Sequence, residues 1–208
     1  MNYEIIENCS PYYIRFKWNG LLDLIKFVSE QPVYIENGTQ HSAYTHYDFD
    51  VSSAQQIINL LPMKEFNFTL ERVALFITPA GKISSIHKDG NSNRFSINIP
   101  IKVLDNKCIT KWYSDNTFKN IPPVGLPYTR RIPIASSSNI DAVQTMIAQP
   151  NECILFNTDV YHSWDNSQST NQRVVLTLRV KNSENIYFED VKKILFGNVA
   201  ESGLLQQS

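Results

Sequence analysis

The chain has 208 residues, 42% of them hydrophobic and 12% aromatic, with a formal net charge of −1. That length fits a single domain spanning residues 1–208, large enough to bury a core without disulfides or a structural metal. The near-neutral balance argues against nucleic acid or an anionic membrane as a partner, because both call for a basic face.

Residues 1–17 carry Glu4, Glu7, Arg15 and Lys17 without a long apolar run, so no signal peptide is read there. No stretch reaches the ~18 apolar residues of a membrane helix. The three cysteines, Cys9, Cys108 and Cys153, are scattered and form no CxxC pair. They read as free, buried thiols of a protein in the reducing cytoplasm.

Residues 12–18 (YYIRFKW) alternate and are rich in aromatics, which predicts a strand. After Gly20, the apolar positions of LLDLIKFVSE recur at helical spacing. Residues 32–35 read as a short strand closed by Asn37-Gly38. In SSAQQIINLL (52–61) a serine cap precedes an apolar face, which predicts a second helix. Between them lies HSAYTHYDFD (41–50), with His41 and His46 near Asp48 and Asp50. It is open to three readings: a loop over a substrate entrance, a plain surface loop, or a second metal cluster.

From residue 66 the texture becomes short β-like runs. Residues 72–78, 94–103, 111–113, 152–156 and 173–180 all favour strand, with Pro, Gly and Asn between them. Strands in series after a mixed preamble predict a mainly β sandwich or small barrel with helices on one sheet. The core falls at about 66–182 and residues 1–65 support it. The Pro-rich stretch 119–141 reads as a long loop, a lid or binding segment. A last short helix is expected at 189–196, followed by a polar tail.

His87-Lys88-Asp89 follows a predicted strand. Residues i and i+2 of a strand project to one face, so His87 and Asp89 can bind one ion together. His162 follows a later strand and turn. Two imidazoles and a carboxylate on one face of a metal is the arrangement of non-haem Fe(II) oxygenases. Arg173, eleven positions beyond His162, opens the last strong strand. Its fork suits a dicarboxylate cosubstrate. Taken singly, the HxD is equally a surface turn, and the arginine equally a solvated strand end. On the strand from 94, Arg94, Ser96 and Asn98 share one face. That face is either cavity lining, with Asn98 at a cosubstrate, or solvated. Thr177 shares a face with Arg173, as does Arg179, an alternative anion anchor. Trp112, Tyr113 and Trp164 are candidates for an aromatic wall.

The segments SSIHKDGNSNRFSINIPI (84–101) and NECILFNTDVYHSWDNSQSTNQRVVLTLRV (151–180) resemble the 2-oxoglutarate/Fe(II)-dependent dioxygenases, especially their aspartyl/asparaginyl β-hydroxylase-like branch. The resemblance spans about half the chain, residues 78–180. It implies a double-stranded β-helix (jelly-roll, cupin-like) with flanking helices. It also implies Fe(II) on His87, Asp89 and His162, and 2-oxoglutarate on Arg173. The implied reaction consumes O2, releases succinate and CO2, and hydroxylates a C–H bond of a peptide or protein side chain or a small molecule. Residues 163–166 match the turn after the distal histidine and shape the site. Hydroxylases of that branch can lack the acidic ligand, whereas Asp89 is present here. Two other readings use the same barrel: a non-oxidative cupin-like metalloenzyme holding zinc or manganese, and a non-catalytic barrel that binds sugar or peptide.

Overall fold

A computed structural model describes residues 3–30, 38–41, 43–61, 69–89, 94–102, 105–119, 130–131, 140–181 and 185–197. The expected strand at 32–35, the turns at 37–38 and 90–93, most of the 119–141 loop and the tail lie outside these residues, wholly or in part.

In chain order the elements are β1 (Tyr3–Cys9), β2 (Tyr13–Trp18), α1 (Leu21–Glu30), β3 (Thr39–Gln40), β4 (Thr45–Asp48), α2 (Val51–Leu60) and β5 (Leu70–Thr78). There follow β6 (His87–Lys88), β7 (Phe95–Lys102), β8 (Ile109–Trp112), a 3-10 turn (Asp115–Phe118), β9 (Arg130–Arg131) and β10 (Gln144–Ile147). The chain closes with β11 (Cys153–Asn157), β12 (His162–Asp165), β13 (Arg173–Val180) and α3 (Phe188–Phe196). The strands form two antiparallel sheets. The larger runs β1-β2-β11-β7-β13-β5-β4-β3 and the smaller runs β10-β8-β12-β6-β9. This is the expected mainly β jelly roll.

The larger sheet is two-faced because its strands alternate. On one face Ile14, Phe16, Val73, Leu75, Phe95, Ile97, Ile99, Leu176 and Leu178 pack against Leu21, Leu24 and Val28 of α1, Ile57 of α2 and Val191 and Leu195 of α3. Burying a side chain of this size contributes about 1.5–3 kcal/mol, so this layer fixes which face of the sheet looks outward. The opposite face meets the smaller sheet. One end of that space is filled by Tyr13, Trp112, Met146, Ile154 and Phe156. The rest is the cavity described below.

Two expectations need correction. The cap of α2 is Asp50, not a serine. Its Oδ1 accepts from the Ser53 amide at 2.9 Å and its Oδ2 from the Ser53 hydroxyl at 2.8 Å. A carboxylate also meets the positive end of the helix dipole, which a hydroxyl does not. Of the cysteines, Cys108 and Cys153 are buried and all three are free, but Cys9 is half-buried and its thiol approaches Glu7 at 3.4 Å. Among the described residues no helix is long and apolar enough to cross a membrane.

One buried ion pair ties β2 to the entry of β11. Glu152 is 1% exposed, and its Oε2 accepts from Arg15 Nε at 2.7 Å. Its Oε1 accepts from the Gln149 amide at 2.7 Å. Removing the guanidinium strands a charge inside, so Arg15→Met should lower stability by about 3–5 kcal/mol in urea denaturation. Arg15→Met/Glu152→Leu should recover most of that loss. A single variant as stable as wild type would contradict the assignment.

Candidate metal centre

His87 belongs to the two-residue strand β6, which pairs with β12 so that His87 and His162 are register partners. The two ring centroids lie 4.4 Å apart. Asp89 follows β6, and its amide donates to the Thr158 carbonyl at 3.2 Å, which pins it to the turn before β12. His87 Nε2 and Asp89 Oδ1 are 3.6 Å apart. The ligand atoms of His87, Asp89 and His162 all lie within 4.8 Å of one another, and this is the only such His/Cys/Asp/Glu group among the described residues. Lys88, between them in sequence, points away by strand alternation. It pairs with Asp115 at 2.7 Å and lies over the Tyr161 ring.

Both imidazoles are held in the tautomer that a metal needs. His87 Nδ1 is 2.8 Å from the Ser85 carbonyl, and His162 Nδ1 is 2.8 Å from the Val160 carbonyl. A carbonyl oxygen only accepts, so each Nδ1 carries the proton and each Nε2 keeps its lone pair for a ligand bond. Burial, helped by the neighbouring His87, pulls the His162 pKa down to about 4. At neutral pH His162 is therefore uncharged and able to ligate.

The cavity in front of these three side chains is lined by alternate residues of the strands. From β13 come Arg173, Val175, Thr177 and Arg179; from β7 Ser96 and Asn98; from β5 Phe76 and Thr78. Thr110, Thr158, Phe156, Trp164 and Tyr44 complete the wall. The polar face of β7 thus looks into the cavity and is not solvated: Ser96 is only 3% exposed. Arg94 departs from that face's role, pairing with Asp159 at 3.2 Å and lying over the Tyr187 ring. The Nε of Arg179 is buried without a hydrogen-bond partner. A buried donor left unmade costs about 1–3 kcal/mol, which an incoming anionic oxygen could recover.

The aromatic wall differs from expectation. Trp112 is fully buried, stacked on Tyr13 with centroids 5.0 Å apart, and lies in the core, not at the cavity. Tyr113 is also buried, its hydroxyl 2.8 Å from that of Ser163. Trp164 does line the cavity, joined by Phe76, Phe156 and Tyr44, which sequence reasoning missed. Tyr44 lies in the 41–50 segment, whose strand β4 pairs with β5. Its ring meets Trp164 edge-on at 6.3 Å. His41 Nε2 lies 3.1 Å from His46 Nδ1, and both rings stack in this wall, on Tyr44 and Phe76 respectively. Of this segment Tyr44 lines the cavity, while His41 and His46 stack on cavity-lining rings. Beyond His162, Asn166 is fully buried and donates to the Pro79 and Asn171 carbonyls, closing the turn into β13. Asp165 accepts from Lys111 at 2.9 Å.

The depressed pKa of His162 has a consequence for stability. Its folded value of about 4 lies below the ordinary 6.5, so between these values the unfolded chain binds more protons. Stability is then complete above pH ~6.5 and falls as the pH drops toward ~4, by at most about 1.4 kcal/mol per pH unit. His162→Gln should flatten that slope in denaturation curves of the metal-free protein. Parallel pH profiles for the two proteins would contradict it.

No family model and no curated protein sequence matches the chain. Solved structures do resemble it. The epimerase SnoN, in complex with Fe3+, alpha ketoglutarate and nogalamycin RO, aligns with a TM-score of 0.55 at 10% identity, covering 82% of this chain and 79% of that one. The non-heme alpha ketoglutarate dependent carbocyclase SnoK, from nogalamycin biosynthesis, aligns with a TM-score of 0.53 at 7% identity, covering 82% and 79%. HygX from Streptomyces hygroscopicus, with nickel and 2-oxoglutarate bound, aligns with a TM-score of 0.50 at 6% identity, covering 81% and 82%. At these identities the likeness is one of architecture: the chain shares the jelly-roll fold of these proteins.

Proposed function

We propose that this chain is a 2-oxoglutarate- and Fe(II)-dependent oxygenase, with the metal on Nε2 of His87, Nε2 of His162 and Oδ1 of Asp89. The observation that carries the reading is the pair of imidazoles whose Nδ1 protons are committed to backbone carbonyls, facing one carboxylate in a cavity that also holds two arginines. Two neutral nitrogens and one carboxylate on one side of an ion fit the ligand set of non-haem iron oxygenases and leave positions open. When bound, the iron and 2-oxoglutarate supply the oxidising chemistry, in which O2 is consumed, succinate and CO2 leave, and a C–H bond of the substrate is hydroxylated.

The chain's own residues have distinct tasks. Arg173 offers its fork to the distal carboxylate of the cosubstrate, a geometry suited to bidentate, charge-assisted bonds. Thr177 lies two positions along the same face, and Asn98 is its register partner on β7; both present hydrogen-bonding groups to the cosubstrate. Tyr44, Phe76, Phe156 and Trp164 provide apolar surface that restricts water around the reacting centre. The substrate is a small organic molecule or a peptide side chain. The complex of SnoN with nogalamycin RO supports the first. The motifs shared with the aspartyl/asparaginyl hydroxylase-like branch support the second, although Asp89 departs from that branch. Free cysteines fit a cytoplasmic setting.

A non-oxidative metalloenzyme on the same ligands, such as a zinc enzyme, leaves Arg173 without a task. Binding of 2-oxoglutarate separates the readings. Arg173→Ala should weaken 2-oxoglutarate binding to the Mn(II)-loaded protein roughly 150-fold in calorimetry, the loss of two charge-assisted bonds worth about 3 kcal/mol. Equal affinity in wild type and variant would remove Arg173 from the site. His87→Ala should abolish both metal retention and aerobic release of succinate.

A further inference from the structure

Arg179 lies on the same face of β13 as Arg173, six positions further along. Directly across the ladder stands Arg72 of β5. Like charges opposed across strands repel, so each needs its own carboxylate. Asp48 on β4 takes Arg72 with both oxygens: Nε donates to Oδ1 at 2.7 Å and Nη2 to Oδ2 at 3.1 Å. That leaves Arg179 to Asp89, whose Oδ2 accepts from Nη2 at 3.3 Å. The other oxygen, Oδ1, is the one that faces His87 Nε2 at 3.6 Å. The two oxygens of Asp89 are thus turned toward different partners.

We infer that Arg179 is a positioning residue that holds Asp89 as a one-oxygen ligand of the metal, an inference that rests on the metal-site reading above. A carboxylate can bind a cation through one oxygen or both. With two imidazoles already bound, a two-oxygen Asp89 would fill a fourth position of an octahedral ion. Too few positions would then remain for a chelating keto acid together with O2. By engaging Oδ2, Arg179 confines Asp89 to one position. Asp48 contributes indirectly, since it keeps Arg72 from competing for the same carboxylate. The guanidinium is well placed to do this, because its side chain is only 29% exposed and it enters from a central strand of the larger sheet.

The test is an anaerobic titration with Co(II), followed by its visible absorption, on wild type, His87→Ala, Arg179→Met and Arg179→Lys. Wild type should bind one equivalent and His87→Ala should not. Arg179→Met should lose roughly 10–100-fold in Co(II) affinity, the usual effect of removing a group that orients a ligand, with an altered spectrum. Arg179→Lys should recover most of the affinity, because an ammonium can still hold Oδ2. Where methionine disrupts folding, judged by circular dichroism, Arg179→Leu takes its place with the same expectation. A folded Arg179→Met protein with wild-type or tighter affinity and an unchanged spectrum would overturn the inference while leaving the metal site standing. Failure of wild type itself to bind Co(II) would overturn both.

Discussion

The site depends on the two unlike faces of the larger sheet. On β13, Leu176 and Leu178 are sealed against the helical layer, and the alternate residues of the strand, Arg173, Thr177 and Arg179, have nowhere to point but into the cavity. A shift of register by one residue would bury two guanidiniums in the apolar layer and turn the leucines toward the metal centre. The cost of that exchange is what keeps the arginines in place. The same alternation on β5 and β7 delivers Phe76, Thr78, Ser96 and Asn98. The helices, which touch no ligand, therefore determine the chemistry of the opposite face.

Within the cavity the smaller sheet supplies the histidines and the larger one the arginines. Each imidazole is oriented by a carbonyl two residues upstream, so the tautomer is set by the local course of the chain before any ion arrives. Burial keeps His162 neutral. Asp89 is steadied from the other sheet, through Arg179. The proposed metal site is thus a joint between the two sheets.

The strongest sequence signals were long, periodic ones. β5, β7, β13 and all three helices were legible because each repeats its pattern over enough residues for the period to show, and β11 because its apolar run is unbroken. The short strands β3, β4, β6, β9, β10 and β12 were not read as strands, since two to four residues carry no period and are strands only through pairing. β1 carries only a broken alternation, because Ile6 faces outward and Glu7 inward against the apolar period. His87, Asp89, His162 and Arg173 stand out by residue type and spacing, and the structure brings them to one cavity. Tyr44 and Phe76 do not stand out, because aromatic residues read equally as core. For the face of Ser96 and Asn98 the alternation was visible but its direction was not. Only the position of the helices decides it.

In the proposed site His87, Asp89 and His162 hold iron, and 2-oxoglutarate chelates that iron. The most direct measurement is an anaerobic titration of the metal-free protein with Fe(II) and then 2-oxoglutarate, followed by visible absorption. A weak charge-transfer band that needs both additions, and is lost in His162→Ala, is the predicted result. Iron that is not retained, or no band in the presence of both, would rule this site out.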